Sequence, residues 1–116
     1  MTGISDFYRG DTKTYNIILR GSNNTPISVH NGTLTFTMKK KLSLLDSEAS
    51  VHLSAPTIES DPLNPTGMMS ITLTSTNTNI DPVEYFYDFQ FTSESGQVTT
   101  LLSDKVKVLA DVSRGT

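Results

Sequence analysis

A chain of 116 residues fits one domain and would bury roughly 65% of its unfolded surface without needing staples. Nine basic residues against twelve acidic give a formal charge of −3, which argues against nucleic acid as the principal partner. The absence of cysteine excludes disulfides, thiolate metal sites and cysteine nucleophiles.

Apolar residues make up only 35% of the chain, and Thr and Ser are abundant, which favours many short half-buried strands. The first residues, Met1 to Asp6, have no basic head and no apolar run, so a cytoplasmic origin is expected. No apolar stretch approaches the ~20 residues that span a bilayer, so no membrane is expected.

Residues 4–12 read as an arm and turn. Arg9-Gly10-Asp11 matches the tripeptide that integrins bind, but it reads as a turn in which Gly10 supplies an unusual dihedral and Asp11 caps. Lys13 to Arg20 alternates, with Tyr15, Ile17 and Leu19 on one side; Ile18 breaks the pattern and could meet a second surface. Gly21 to Pro26 is rich in turn formers. Thr33 to Lys40 alternates again, with Leu34, Phe36 and Met38 inward and threonines outward. The run Lys39-Lys40-Lys41 could touch an acidic partner, or it could be a solvated strand end that discourages edge pairing.

Val51-His52-Leu53 reads as a short strand. Ala55 to Gly67 holds three prolines and a glycine and reads as a long surface loop. Met69, Ile71 and Leu73 mark the next strand, and Ser75 to Asp81 reads as a polar crossover between two sheets.

Tyr85 to Thr92 is the most telling segment. Tyr85, Tyr87, Phe89 and Phe91 fall on one face, with Phe86 outward beside Asp88 and Gln90. Asp81 lies four residues before Tyr85, the spacing of a tyrosine corner, in which a Tyr hydroxyl ties a strand to the loop before it. Ser93 to Gly96 reads as a hairpin turn with Gly96 left-handed. Val98 to Leu102 and Val106 to Val112 read as two final strands before a polar tail at 113–116.

Seven strand candidates without helical periodicity give an all-β sandwich occupying the whole of 1–116, with a small barrel as the runner-up that strand counting leaves open. Catalytic chemistry finds little support. His30 and His52 lack a second ligand at useful spacing, and no nucleophile elbow or phosphate loop occurs. Asp46-Ser47-Glu48 and Glu59-Ser60-Asp61 lack the ordered ligand series of a calcium loop. The expectation is no enzyme, no cofactor and no metal.

Phe7-Tyr8-Arg9-Gly10-Asp11-Thr12, entering the strand that runs to Leu19, resembles the opening of immunoglobulin-like domains in bacteriophage tail and baseplate proteins. It is similar in particular to the N-terminal domain of siphophage baseplate upper proteins. The likeness continues through Thr33 to Lys40, Leu45 to Ala49, Gly67 to Thr74, Asp81-Pro82, Tyr85 to Gln90, Gly96, Thr100-Leu101 and Val106 to Arg114. The aromatic often found at the start of the second strand is absent, where Gly32-Thr33-Leu34 stands.

The resemblance implies an immunoglobulin-like β-sandwich of about seven antiparallel strands. It also implies a structural role in a virion assembled in the host cytoplasm, with other virion proteins as partners and a homo-oligomer within the particle. Tyr8, Phe86, Met68, Lys39, Lys40 and Lys41 are the candidate interface residues. Tyr85, Tyr87, Phe89, Phe36, Gly10 and Asp11 are expected to serve structure. The alternative is a module that binds host-surface carbohydrate by stacking Tyr8 or Phe86 on a sugar ring.

Overall fold

The computed structural model describes residues 4–57 and 66–110. Seven strands follow in chain order: β1 (Phe7–Tyr8), β2 (Lys13–Ile18), β3 (Thr33–Lys39), β4 (Val51–Pro56), β5 (Met68–Leu73), β6 (Glu84–Thr92) and β7 (Val98–Leu109). Among the described residues the only helical turns are two single 3₁₀ turns, Ser22–Asn24 and Asp46–Glu48. No helix among them is long and apolar enough to cross a membrane.

The strands form two unequal sheets: five strands in the order β1-β7-β6-β3-β4, and two in the order β2-β5. The inward positions of β3 and β6 account for this arrangement. Leu34, Phe36 and Met38 are fully buried, as is Tyr85, and Tyr87, Phe89 and Phe91 are nearly so. Phe36 and Phe89 are neighbours across the strand pair, with ring centroids 4.8 Å apart. Met69, Ile71 and Leu73 of β5 close over these rings from the other sheet, together with Ile17 of β2. Burial at every second position is what fixes strand register here, because a one-residue slip would turn the aromatics to water.

The crossover from β5 to β6 connects the two sheets as its composition predicts. Its Thr78 is nevertheless fully buried, with Oγ1 donating to the Asp11 carbonyl at 2.6 Å. Tyr85 Oη donates to the Asp81 carbonyl at 2.7 Å, which is the tyrosine-corner bond. Gly10 and Gly96 both hold left-handed φ, +88° and +91°, as expected of those turns. In the Gly10 turn the main chain of Asp11 makes the contacts: its N–H donates to the Tyr8 carbonyl, and its carbonyl accepts from Thr78.

Three expectations are corrected. The sheets are not wholly antiparallel, because Phe7 and Tyr8 pair parallel to Val108 and Leu109. The arm thus contains a strand, too short to show a period. Val51 to Leu53 extends through Pro56, whose place at the end of an edge strand leaves its missing N–H unneeded. The last two strands are one continuous β7, since Ser103, Asp104 and Lys105 pair with Asp88, Tyr87 and Phe86. Residues 58–65 of the long loop, Glu59-Ser60-Asp61 among them, lie outside the described residues, as do 111–116.

Candidate interaction surface

Two strands cannot cover five. β5 lies against β3 and β4, and β2 lies over β6, with the Tyr15 and Phe89 rings 5.8 Å apart. Beyond β2, among the described residues, no strand lies above the inner face of β7. The result is a groove of about 880 Å³ between the sheets. One wall is Tyr15, Ile17 and Leu19; the floor is Phe89, Leu101 and Leu102; Ile4 and Ser5 also border it, and Lys13 and Arg20 lie toward its two ends. Among the described residues no carboxylate lines it.

The floor owes its width to an irregularity in β7. Phe89 pairs with Leu102 and Gln90 with Thr100, so Leu101 is an extra residue, a β-bulge. A bulge places two consecutive residues opposite one, which breaks strict alternation and lets both leucines line the groove. Each stays only half-buried.

Along this groove runs a strand edge. The Leu19 N–H donates to the Gly67 carbonyl at 2.8 Å, and the register continues Ile17 to Met69, Tyr15 to Ile71 and Lys13 to Leu73. By alternation the main-chain groups of these odd-numbered residues point toward β5, and those of Thr14, Asn16 and Ile18 point away. Among the described residues no strand pairs with that outer side. The edges of the large sheet are blunted: β1 is two residues long, and β4 ends in Pro56; the far side of β5 is the second edge of the small sheet, away from the groove residues.

Tyr15 adds an unmet polar group. Its Oη is buried and has no hydrogen-bond partner among the described residues. Burial, and then the neighbouring Tyr87, push its phenol up to about 12. An unsatisfied buried hydroxyl costs about 1–3 kcal/mol.

No protein-family model matches the chain, and no match is found among curated proteins.

The six candidate interface residues are spread over the surface. Tyr8 is exposed at the end of β1. Met68 is exposed on the outer face of the small sheet, opposite the exposed Ile18 in register. The lysine run does not act as one patch. Lys39 Nζ turns back to the Leu44 carbonyl at 2.9 Å, Lys40 pairs with Asp81 at 2.5 Å, and Lys41 is exposed. Lys40 and Asp81 shift each other through that contact, the lysine upward and the carboxyl downward. Phe86 is half-buried on the outer face of the large sheet, with Lys105 Nζ 5.3 Å from its ring centroid.

Tyr85, Tyr87, Phe89 and Phe36 all lie in the core. The Tyr87 hydroxyl also accepts the Ile4 N–H at 2.9 Å, fixing the arm beside the groove. His52 Nδ1 lies 3.0 Å from Thr37 Oγ1, and His30 is exposed next to a turn. Among the described residues no three His, Asp or Glu side chains gather as a metal site would need.

Sequence reasoning passed over Leu42 and Leu45, the most exposed large apolar side chains of the described residues, on the β3–β4 connection. It also passed over Leu101 and Leu102. Two adjacent leucines inside an alternating strand were the available sign of a bulge.

Proposed function

We propose that the chain is a non-catalytic structural protein of a bacteriophage virion, an immunoglobulin-like tail, baseplate or neck module that acts by protein–protein contact. Strand order supports the fold part of this reading. On this reading β2, β3, β5, β6 and β7 would correspond to B, C, E, F and G of an immunoglobulin domain, β4 would extend the large sheet as C′ does, and Tyr85 would be the corner residue at the start of F. In that scheme the small sheet would carry strand A beside B. Here β1 joins β7 instead, so the place beside β2 has no strand among the described residues.

The observation that carries the functional reading is this incomplete sheet with its apolar groove. A component of an assembly meets neighbours that can cover such a surface. Closed rings repeat one patch by symmetry, so the module is a homo-oligomer within its particle, beside other virion proteins. No cofactor, nucleic acid or membrane enters this role. A carbohydrate-binding role would need an open aromatic platform, whereas Phe86 is half-buried with the Lys105 ammonium over its ring and Tyr8 is a single exposed ring at the end of β1.

The test is composition and context. The reading expects the gene among head or tail genes and the protein in purified particles by mass spectrometry at a stoichiometry matching a ring. A gene remote from any virion cluster, and particles that lack the protein, would overturn it.

A further inference from the structure

We propose that the outer edge of β2 accepts one extended strand from a different polypeptide, apolar at alternate positions and acidic at both ends. The proposal rests on the assembly reading and names the partner's chemistry. Main-chain groups of Thr14, Asn16 and Ile18 face outward along this edge, so an added strand would continue the β2-β5 ladder. Every second side chain of that strand would descend between the Tyr15 and Ile17 wall and the leucine floor.

Charge selects the occupant. Lys13 begins β2 and Arg20 follows its end, the Arg20 guanidinium also donating to the neutral Asn24 carbonyl at 3.1 Å, and among the described residues no carboxylate lines the groove between them. A second copy presenting its own β2 antiparallel would bring each Lys13 toward the other copy's Arg20, and like charges placed opposite are unfavourable. A foreign strand with Asp or Glu at both ends meets each cation with an opposite charge. Six residues of β2 span about 20 Å, so a segment of about ten residues covers the edge and both cations.

The experiment uses the isolated full chain and two synthetic peptides of about ten residues that alternate Val and Thr. One peptide ends in Asp-Asp on both sides, the other in Lys-Lys. Binding is read by fluorescence anisotropy at low salt and located by amide hydrogen exchange. The acidic peptide is expected to bind at least about tenfold tighter than the basic one, with the gap narrowing as salt rises. Exchange at Thr14, Asn16 and Ile18 should slow on binding.

Asn16→Pro removes an outward N–H while sparing the ladder to β5, and should abolish binding. Should that variant unfold, the double variant Lys13→Glu with Arg20→Glu decides instead, by reversing the peptide preference. Binding of neither peptide, protection mapped to another edge, or edge amides already protected in the free monomer would each overturn the proposal. A homodimer by sedimentation that loses its affinity on Asn16→Pro would overturn it too, because the occupant would then be a second copy. A protein present in particles whose edge binds neither peptide would keep the assembly reading and discard the strand acceptor.

Discussion

Gly67→Ala places a methyl group where the main chain just past β2 already stands. Gly67 holds φ +69°, and an added Cβ would lie 2.4 Å from the Leu19 carbonyl oxygen and 3.2 Å from that of Ile27. Both obstacles are backbone, which cannot rotate aside as a side chain can. Two costs follow. The left-handed dihedral costs an alanine about 1 kcal/mol. Relieving the contact must also loosen the bonds that meet there, Leu19 N–H to the Gly67 carbonyl at 2.8 Å and Ile27 N–H to the Leu19 carbonyl at 3.0 Å. At about 1 kcal/mol each, these bring the expected loss to about 3 kcal/mol.

Gly10 separates the two costs. Its φ is +88°, yet an added Cβ would meet nothing within 4 Å, so Gly10→Ala should lose only the dihedral part, about 1 kcal/mol. Urea unfolding followed by circular dichroism measures both. With a slope of about 1.5 kcal/mol per M, the midpoint should fall by about 2 M for Gly67→Ala and by less than about 1 M for Gly10→Ala. Faster amide exchange at Leu19 and Ile27 should accompany only the former. Equal losses in the two variants would refute the reasoning, since the steric and hydrogen-bond part would then be absent.

Other consequences are as direct. Tyr85→Phe removes the donor to the Asp81 carbonyl and should cost about 1 kcal/mol in the same unfolding assay, with the core otherwise intact. Thr78→Val keeps the shape but leaves the Asp11 carbonyl without its 2.6 Å donor, for a loss of about 1–2 kcal/mol and faster exchange around Gly10. Tyr15→Phe should be neutral or stabilising at pH 7, because the hydroxyl it deletes has no partner. The same variant has a pH signature. The folded phenol titrates near 12 and the unfolded one at 10.0, so stability from this group is complete below pH 10 and is lost as pH rises toward 12. Unfolding measured at steps from pH 9 to 11 should show a shallower decline for Tyr15→Phe, and an unchanged slope would contradict the assignment.

Alternation made the large sheet legible. Leu34, Phe36 and Met38 and the four aromatics of β6 are inward at every second position, as their period dictates, and the spacing of Asp81 and Tyr85 predicts the corner. Elements whose pairing depends on distant residues were not legible. Phe7 and Tyr8 are too few to display a period, and only the end of β7, about a hundred residues later, makes them a strand. Ser103 to Lys105 looked like a break because three polar residues interrupt an apolar rhythm. The segment faces solvent on both sides there, so burial imposes no rhythm on it, and its register comes from β6 alone. Thr78 misled in the opposite direction: a polar residue in a polar crossover is buried because its hydroxyl ties the Asp11 turn to the loop. The lysine run read as one feature, but a strand points neighbours to opposite faces, and Lys39 and Lys40 find different acceptors.

The candidate site was illegible for a related reason: a groove between sheets of unequal width belongs to no segment. Its wall comes from β2, its floor from β6 and the bulge of β7, and its border from the arm held by Tyr87. Each contributor satisfies its local rule, with β2 alternating and β7 differing by a single inserted residue. What makes the place distinct is the combination of an edge with outward main-chain donors, half-covered leucines below it and a cation toward each end. Point interactions among exposed side chains such as Lys40 and Asp81 are screened and individually weak. A ladder of main-chain bonds over an apolar floor forms only in one register, so partner choice at this edge would be decided by the alternation and end charges of the incoming strand rather than by any single residue of the host.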